Sequence, residues 1–548
     1  MLDTLDAPSV RTWCRLALTA LGQAREEIDA LNVYPVPDGD TGTNLYLTVE
    51  SAASALDACF AERQPAGPGL APAMAAVARG ALVGARGNSG VILAQWLRGL
   101  SEVLSQGGDP AALRKGLVRA SEAAYQAVAV PVEGTLLTVA AAAARTADQP
   151  SEGSRPDGLT AVAESAHRAA LEALAHTPEQ LDVLAEAGVV DAGGRGLVAV
   201  LGALVDAVSG QNPMGPVALR QEVAVPAPAA AGCEGHERPP GPGHPAFEVI
   251  YLLDAPDEAL PALRGRLAGL GDSLVIGGGD GLWNVHVHVD DAGAAVEAGV
   301  EAGRPYRIRI THFAEAAARS GEREETVAHG RAVLSVVSGT GLAELCAQSG
   351  SAVLAADPDR PPASGELAEA VRRCGAREVV LLLNDPELRP AAGAAADQLR
   401  EEGVRIAVLP TRSPVQGLAA LAVHDATRRF DEDVVAMTSA AGATRYAELA
   451  LAEGESWTMA GVCQAGDVLG MIDGDVAVIG EDLAQTALTV LARMLTAGGE
   501  LVTLILGEGV PAGLADRLVA DARRERPEVD TLVYEGGQES ALLVIGVE

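Results

Sequence analysis

The stretch NVYPVPDGDTGTNL, residues 32–45, joins two segments with helical patterning and carries the strongest signal in the chain. It contains two prolines, two glycines and two aspartates, and Asp38 and Asp40 flank Gly39. Because prolines fix φ, the two carboxylates can converge with little loss of chain entropy. They repel each other unless a cation lies between them, and a hard divalent ion such as Mg²⁺ prefers oxygen ligands. The alternative is structural: Asp40 or Thr41 caps the next helix while Asp38 forms an Asx turn.

The first 208 residues predict one all-helical domain. Apolar residues recur with a helical period from Val10 to Ala30 and in seven later segments, and no convincing strand pattern interrupts them. Clusters of Gly, Asp and Thr fall in the joints between helices, where functional residues are expected. The seven later segments are 45–60, 70–82, 91–105, 111–130, 135–146, 159–175 and 195–208.

Three further joints in this domain are rich in glycine. GARGNSGVIL, residues 84–93, predicts a helix that opens near Ser89, whose free N–H groups and dipole can bind phosphate with Arg86 beside them. A plain helix start explains that loop equally well. PVEGTLLT, residues 131–138, and EAGVVDAGGRGL, residues 186–197, are each explained by tight helix packing. All four joints in a single domain are harder to explain as turns alone.

Beyond the helical domain the pattern changes. Residues 209–245 are rich in Pro, Gly and Ala and predict a linker, and residues 246–312 predict a small middle α/β domain. A polar joint covers 313–330, and alternating strands and helices in 331–548 predict a C-terminal α/β domain with a parallel sheet. The predicted fold class is therefore multidomain, all-helical followed by α/β.

Composition excludes several function classes. The formal charge of −34 disfavours nucleic acid and anionic membrane surfaces as partners. Lys115 is the single lysine, and no G-x-x-x-x-G-K-[ST] sequence is present, so a Walker-type P-loop is excluded. The sequence contains no run of eighteen apolar residues, which is what a membrane-spanning helix would need. Its six cysteines are scattered, as is typical of reduced thiols. We expect a cytoplasmic protein.

The four joint motifs, in this order, resemble the nucleotide-binding domain of the dihydroxyacetone kinases of the DhaL type. The whole chain more closely resembles the bacterial fatty acid kinase catalytic subunit. GDSLVIGG and NVHVHVDDAG resemble the middle domain of that family, and LPTRSPVQGLAAL, GDVLGMIDGDV, ELVTLILGE and VYEGGQ resemble its last domain. The resemblance covers nearly the full length.

This resemblance implies a barrel of antiparallel helices that holds ATP and two Mg²⁺ ions at one end. Asp38 and Asp40 would then be metal ligands, with Asn32 as a third candidate, and Arg86 would act in catalysis. The family usually has another aspartate upstream, where this chain offers Asn32 or Val33. The resemblance assigns metal and phosphate positioning to Thr41, Thr43 and Asn44, the phosphate cradle to Gly87, Asn88, Ser89 and Gly90, and nucleoside contacts to Gly134, Thr135, Leu136, Asp191 and Gly193.

The implied activity is ATP-dependent transfer of a phosphoryl group to a fatty acid carboxylate, forming acyl phosphate. A separate fatty-acid-binding carrier protein would present the acid, and the middle and last domains would dock that carrier. Two alternatives stay open: a kinase of the dihydroxyacetone type, and a regulatory protein that binds nucleotide without turnover. A homodimer is also left open.

His286 and His288 alternate on the predicted strand NVHVHV, so both imidazoles project from one face. Two histidines at this spacing are a recurrent zinc arrangement, although two surface histidines are an equally ordinary explanation. Related chains pair them with a cysteine on the preceding strand. FEVIYL has no cysteine, and Glu248 falls near that place, so the resemblance implies either a Zn²⁺ site of two histidines and one glutamate or its loss.

Overall fold

The structure is a computed structural model that describes residues 3–37, 39–148, 158–210, 245–312, 330–358 and 360–548. The chain divides into two compact units, Met1–Glu322 and Arg323–Glu548. The predicted middle domain therefore shares a unit with the helical domain. The predicted linker and the predicted joint lie almost wholly outside the described residues, so their boundaries stay predictions.

The described part of the first 210 residues is helical throughout, as the apolar periodicity predicts, with one short helix (α8) that the periodicity did not reveal. A single 3₁₀ turn, Thr177–Glu179, precedes that helix. The α-helices are α1 (Ala7–Ala30), α2 (Thr41–Ala61), α3 (Leu70–Gly84), α4 (Gly87–Leu104), α5 (Pro110–Ala127), α6 (Leu136–Asp148), α7 (Leu159–Ala175), α8 (Asp182–Ala187) and α9 (Ala192–Ser209).

Local sequence explains several of the helix ends. Asp6 accepts a hydrogen bond from Ser9 N at the start of α1, and Asp109 does the same for Ala112 N at the start of α5, each followed by a proline in the first turn. Each long helix packs on the next, and α9 packs on both α7 and α1. The packing therefore returns to the first helix, around a core that includes Trp13, Leu45 and Trp96.

Helix α9 is the one helix in the described residues that is long and apolar enough to cross a membrane by length and composition. Its window is 72% buried inside the structure. The helix lies against α1, α6 and α7, and Trp13 Nε1 donates to Val200 O at 3.0 Å. These contacts are those of a core helix in the helical domain.

The middle domain is a four-stranded antiparallel sheet with two helices. Strand order is β2-β3-β1-β4, and the sequence patterns had indicated β1 and β3 but not β2 or β4. Val285, Val287 and Val289 face a core shared with the two helices. The elements are β1 (Phe247–Asp254), α10 (Leu260–Ala268), β2 (Gly271–Gly279), β3 (Leu282–Val289), α11 (Ala292–Ala302) and β4 (Arg304–His312), with a 3₁₀ turn at Asp257–Ala259.

The opposite face of this sheet packs on the helical domain. Asn284 on β3 donates its side-chain N–H to Leu82 O at the end of α3, at 3.2 Å. Ala129 N, just after α5, donates to Leu274 O on β2 at 3.1 Å. A Cβ at Gly277 would overlap the Gln95 side chain on α4, so the sheet approaches that helix closely. The middle sheet thus supports the helix that carries the glycine-rich motif GARGNSG.

The described part of the second unit contains a four-stranded sheet, a six-stranded sheet and a two-stranded hairpin. A parallel sheet has order β6-β5-β7-β8, which matches the predicted alternation of strands and helices. A six-stranded sheet has order β13-β12-β9-β16-β14-β15, in which only β14 and β15 are parallel neighbours. The patterns had not indicated β9, β10 or β11. The strands are β5 (Arg331–Val337), β6 (Ala352–Ala355), β7 (Glu378–Leu382), β8 (Arg405–Leu409), β9 (Arg445–Leu451), β10 (Ser456–Thr458), β11 (Gly461–Cys463), β12 (Val468–Ile472), β13 (Asp475–Gly480), β14 (Leu501–Leu506), β15 (Asp530–Glu535) and β16 (Leu543–Val547).

Helices cover these sheets, and each sheet has its own apolar core. The prediction of a helical N-terminal region followed by α/β domains is therefore confirmed. The helices of the second unit are α12 (Thr340–Gln348), α13 (Ser364–Arg373), α14 (Arg389–Glu401), α15 (Pro414–Ala422), α16 (Phe430–Ala443), α17 (Leu483–Leu495) and α18 (Leu514–Glu525), with a 3₁₀ turn at Pro386–Leu388.

Candidate functional site

The acidic loop connects the end of α1 to the start of α2. Asp38 lies outside the described residues, so its predicted pairing with Asp40 stays a prediction. Asp40 occupies the N-cap position of α2, yet its side chain makes no capping hydrogen bond. The part of the structural alternative in which the Asp40 carboxylate caps the helix therefore does not hold, and the predicted Asx turn at Asp38 lies outside the described residues.

Asp29, which sequence reasoning missed, performs the capping instead. It lies in the last turn of α1 and accepts from Thr43 N and from Thr43 Oγ1, both at 3.0 Å. Arg25 NH1 donates to the same hydroxyl at 3.0 Å. Burial raises the pKa of the Asp29 carboxyl, while its hydrogen bonds from Thr43 and the charge of Arg25 oppose the shift. The partners are fourteen residues apart, so no local spacing in the sequence reveals this cap.

The residues at the start of α2 pack directly against the glycine-rich loop. Thr41, Thr43 and Asn44 are all buried. Gly87 has a positive φ of 57°, and a Cβ there would overlap the side-chain amide of Asn44. Only glycine fits this approach without strain. The structure therefore brings the acidic loop's helix and the predicted phosphate cradle into contact, as a shared site requires.

The helix that follows this loop begins at Gly87, two residues before the predicted start at Ser89. Its N-cap residue, Arg86, has an extended backbone and makes no side-chain capping hydrogen bond. Asn88 Oδ1 is buried and accepts no hydrogen bond. An uncapped helix N-terminus offers N–H groups to anionic oxygens, and a buried amide oxygen can ligate a cation or accept from a ligand. Both features fit a bound phosphate with its metal ion.

Asp191 joins two of the predicted nucleoside joints. Its carboxylate accepts from Gly194 N at 2.6 Å and from the backbone of Leu136, so one side chain caps both α9 and α6. Burial raises the pKa of Asp191 to about 6, and these two hydrogen bonds oppose the shift. Gly134 has a φ of 81°, and its N–H donates to Thr138 Oγ1 at 2.9 Å. These groups build the joint, and their nucleoside contacts stay a prediction.

Tyr34 shows that the acidic loop lies near two other parts of the unit. Burial raises the pKa of its phenol, and the charges of Asp191 and Asp272 raise it further. Asp191 starts α9, and Asp272 lies at the start of β2 in the middle sheet. Asn32, in the same loop, is also buried. The loop, the α9 terminus and the middle sheet therefore converge within one unit.

Glu248, His286 and His288 form a second cluster on the face of the middle sheet that packs on the helical domain. Their potential ligand atoms all lie within 4.8 Å of one another. His286 Nε2 is 3.0 Å from His288 Nε2 and 3.6 Å from Glu248 Oε1. Strand register places Glu248 opposite His288, and the correspondence of Glu248 to the cysteine of related chains stays a prediction. On the other side, Asp272 Oδ1 lies 3.9 Å from His288 Nδ1.

Burial makes both imidazoles neutral. It lowers the pKa of His286 to about 3. The pKa of His288 falls to about 4, mainly by burial and then by His286, while Glu248 and Asp272 oppose the shift. Neutral imidazole is the form that ligates metals, and two histidines with one glutamate are a known zinc ligand set. The residues therefore fit a zinc ion, and the expectation of two ordinary surface histidines is wrong because both rings are buried.

Comparison with known families gives three matches along the chain. Residues 35–206 match the DAK2 domain, and residues 244–320 match the FakA-like middle domain of the fatty acid kinases. Residues 332–548 match the FakA-like C-terminal domain of the same kinases. These matches follow the order that the sequence motifs predicted.

Individual proteins resemble the chain more distantly. It is 28% identical to Protein YloV of Bacillus subtilis over an alignment of 571 residues, gaps included, which covers 100% of both chains. The dihydroxyacetone kinase of C. freundii, solved with AMP-PNP and Mg²⁺, is 23% identical over 36% of this chain and 33% of its own, with a TM-score of 0.28. The Streptococcus pneumoniae Fatty Acid Kinase (Fak) B3 protein, loaded with linoleic acid, is 10% identical over 40% of this chain and 99% of its own, with a TM-score of 0.30.

Replacing Asp29 by Ala removes the acceptor for both donors of Thr43. We expect the free energy of unfolding to fall by about 1–2 kcal/mol, as for other lost caps. Because the same turn presents Asp40 and Asn44, which the family resemblance assigns to metal and phosphate, the predicted affinity for Mg²⁺–ATP should fall as well. Urea unfolding and calorimetric titration measure the two effects. Asp6→Ala removes a similar cap from α1 and should cost similar stability with unchanged ATP affinity; equal ATP affinity in both variants would contradict the role of Asp29.

Asp191→Asn tests the buried carboxyl. Its folded-state pKa of about 6 lies above the unfolded value of about 3.9, so its stabilising contribution is present below the unfolded pKa and lost as pH rises through the folded pKa. The shift corresponds to about 3 kcal/mol. Relative to Asp191→Asn, the parent should therefore lose about that much unfolding free energy between about pH 4 and pH 7. Urea unfolding across this window measures it, and a constant difference between the two proteins contradicts the buried charge.

Proposed function

Because the chain has the domain architecture of the fatty acid kinase catalytic subunit family, we propose that it transfers the γ-phosphoryl group of ATP to a fatty acid carboxylate. The product is an acyl phosphate. One observation carries the proposal. The N-terminus of α4, which no side chain caps, packs on Asn44 in the first turn of α2. The same turn of α2 begins with Asp40, whose carboxylate does not cap that helix. That arrangement suits a triphosphate held by helix N–H groups with its metal ions held by carboxylates.

In this proposal the packed helices of the first domain form the antiparallel barrel of the family. Asp38, Asp40 and Asn32 hold two Mg²⁺ ions, which neutralise phosphate charge. Gly87, Asn88, Ser89 and Gly90 receive the phosphates. Thr41 and Asn44 place the acidic turn, and Thr43 acts through its hydrogen bonds to Asp29 and Arg25. The joints at Gly134, Thr135 and Leu136 and at Asp191 and Gly193 enclose the nucleoside.

The chemistry needs positioning more than proton transfer. A carboxylate is ionised at neutral pH, so no general base has to activate it. Its oxygen forms a bond to the γ-phosphorus while the bond to the β–γ bridging oxygen breaks and ADP departs. The chain must hold two anions in line and stabilise the charge on the transferring group. Arg86, the N-cap residue of α4, is the residue proposed to supply positive charge there.

A long acyl chain requires protection from water, and aromatic residues make up only 3% of this chain. We assign that protection to a separate fatty-acid-binding protein that presents the carboxylate. The five described cysteines are all free thiols, as in a reducing compartment. The proposed site of the reaction is therefore the cytoplasm.

Zinc bound to Glu248, His286 and His288 would have a structural role in this proposal. Asn284, two residues before His286 on the same face of β3, bonds to the end of α3. An ion that holds β1 and β3 together would fix this face against the helical domain. The proposed ion therefore supports the phosphate-binding helix and takes no part in the transfer.

Asp40→Asn tests the proposed reaction. Removing one carboxylate charge should lower acyl phosphate formation by at least about 100-fold, because a metal ligand is lost while α2 keeps its Asp29 cap. The assay mixes the protein with ATP, Mg²⁺ and oleate-loaded fatty-acid-binding proteins of the source organism, and detects acyl phosphate as hydroxamate. The double variant Asp38→Ala, Asp40→Ala should be inactive. Glu62→Gln, at an exposed position after α2, is the control and should match the parent; activity that survives the double change overturns the kinase assignment.

Metal analysis tests the zinc proposal. The parent, purified without chelator, should contain about one zinc per chain, and His286→Ala with His288→Ala should contain none. Glu248→Gln should bind zinc more weakly while leaving both histidines in place. His176→Ala, which changes an exposed histidine, should retain the parent's zinc content. Equal zinc in the parent and the double histidine variant contradicts the site.

A further inference from the structure

A small hairpin in the second unit exposes apolar side chains that no described residue covers. Strands β10 and β11 pair antiparallel, with Trp457 opposite Val462. Trp457 is 85% exposed and Met459 is 90% exposed, the two most exposed large apolar side chains in the described residues. The other three tryptophans differ, since Trp13 and Trp96 are buried and Trp283 is half-buried. We call residues 456–463 the apolar hairpin.

The apolar hairpin is held in place by its own hydrogen bonds. Thr458 Oγ1 donates to Gly461 O at 2.8 Å and accepts from Ala460 N at 3.2 Å. At its base, Gln464 N donates to Asp467 Oδ2 at 2.7 Å, and Ala452 N donates to Asp467 O at 2.8 Å. Cys463, the last residue of the hairpin, is buried. Because the backbone is already ordered, binding through Trp457 and Met459 would cost little further entropy.

The charge around the apolar hairpin limits what can bind it. Between Arg445 and Arg493 the sequence contains eight carboxylates and no Lys, Arg or His. Glu453 and Glu455, immediately before β10, are exposed. Like-charge repulsion disfavours an anionic membrane, and it disfavours a second copy of a chain whose formal charge is −34. A protein with an apolar pocket and a basic rim is the complementary partner, and Trp is a residue type enriched at the centres of such interfaces.

We propose that the apolar hairpin is the docking element for the fatty-acid-loaded carrier protein, with Trp457 and Met459 inserted into an apolar pocket and Glu453 and Glu455 facing its basic rim. This inference rests on the proposed function for the identity of the partner. It assigns to eight residues the docking role that the sequence assigned to whole domains. Met459 adapts its shape to the pocket, while the rigid indole of Trp457 anchors it.

Trp457 provides its own binding signal. The chain is labelled with fluorotryptophan, and the fluorine resonance of Trp457 is identified by its absence in Trp457→Ser. Oleate-loaded fatty-acid-binding proteins of the source organism are titrated in without ATP, so binding is measured without turnover. A shift of the Trp457 resonance alone, saturating with one of these proteins and weakening with salt, is the expected result.

Variants then link this binding to the reaction. In Trp457→Ser with Met459→Ser, the half-saturating carrier concentration should rise about tenfold or more, while ATP affinity and thermal stability stay unchanged. Glu453→Gln with Glu455→Gln should weaken binding at low salt and reduce its salt dependence. Val435→Ser on α16 changes another exposed apolar residue, 68% exposed, and should behave as the parent.

Several outcomes overturn the docking role. The first is an unchanged half-saturating carrier concentration in the double serine variant. The second is a Trp457 resonance that shifts only when phosphatidylglycerol vesicles are added. The third is a Trp457 resonance that shifts when the chain itself is concentrated and no other protein is present. The proposed function fails separately, if a carrier shifts the Trp457 resonance and no acyl phosphate forms with the parent protein.

Discussion

The contact between α2 and the start of α4 is the constraint on which the candidate site depends. Gly87 has the backbone conformation and the lack of a side chain that let this loop lie on the Asn44 amide. Gly42 plays the equivalent part on the other side of α2, where a Cβ would overlap the backbone of Arg25 in α1. Three helices therefore approach more closely than ordinary side chains would allow. Gly87 thus makes the start of α2 and the predicted phosphate-binding loop neighbours, and Gly42 brings α1 against the same turn of α2.

The carboxylates near the candidate site differ in whether they cap a helix. Asp29 and Asp191 are both buried enough for burial to raise their pKa values, and both cap helices. Backbone N–H donors offset only part of the desolvation of each carboxyl, so both pKa values stay raised. Asp40 makes no such cap. Asp29 and Asp191 thus supply caps for α2, α6 and α9, and the proposed metal ligand Asp40 is not needed for capping.

Sequence patterns predicted what is local. The helical spacing of apolar residues predicted the long helices of the first domain. The alternation of strand-like and helix-like segments predicted the parallel sheet. The His286 and His288 pair was predicted to share a face, and it does. Asp29 could not be found because its partner is fourteen residues away and the contact forms only when α1 and α2 pack. Strand β2 was missed because its glycines weaken the strand signal, although Gly277 is what allows it to reach α4. The apolar hairpin gave no signal, since one Trp and one Met in a polar stretch do not reveal their exposure.

The middle sheet links the two clusters of polar residues in the first unit. One face of β3 carries Asn284, His286 and His288, and Asn284 bonds to the carbonyl at the end of α3, just before the loop that starts α4. Gly277 on the adjacent strand lies against α4 itself. A sheet whose strands can shift would move that helix and its exposed N–H groups. In the proposed phosphoryl transfer, displacements of about 1 Å would be costly, so rigidity in this sheet would matter at the predicted phosphate loop. The two buried histidines and the glutamate lie on the neighbouring strands β1 and β3, and an ion bound to them would join these strands more firmly than side-chain packing alone.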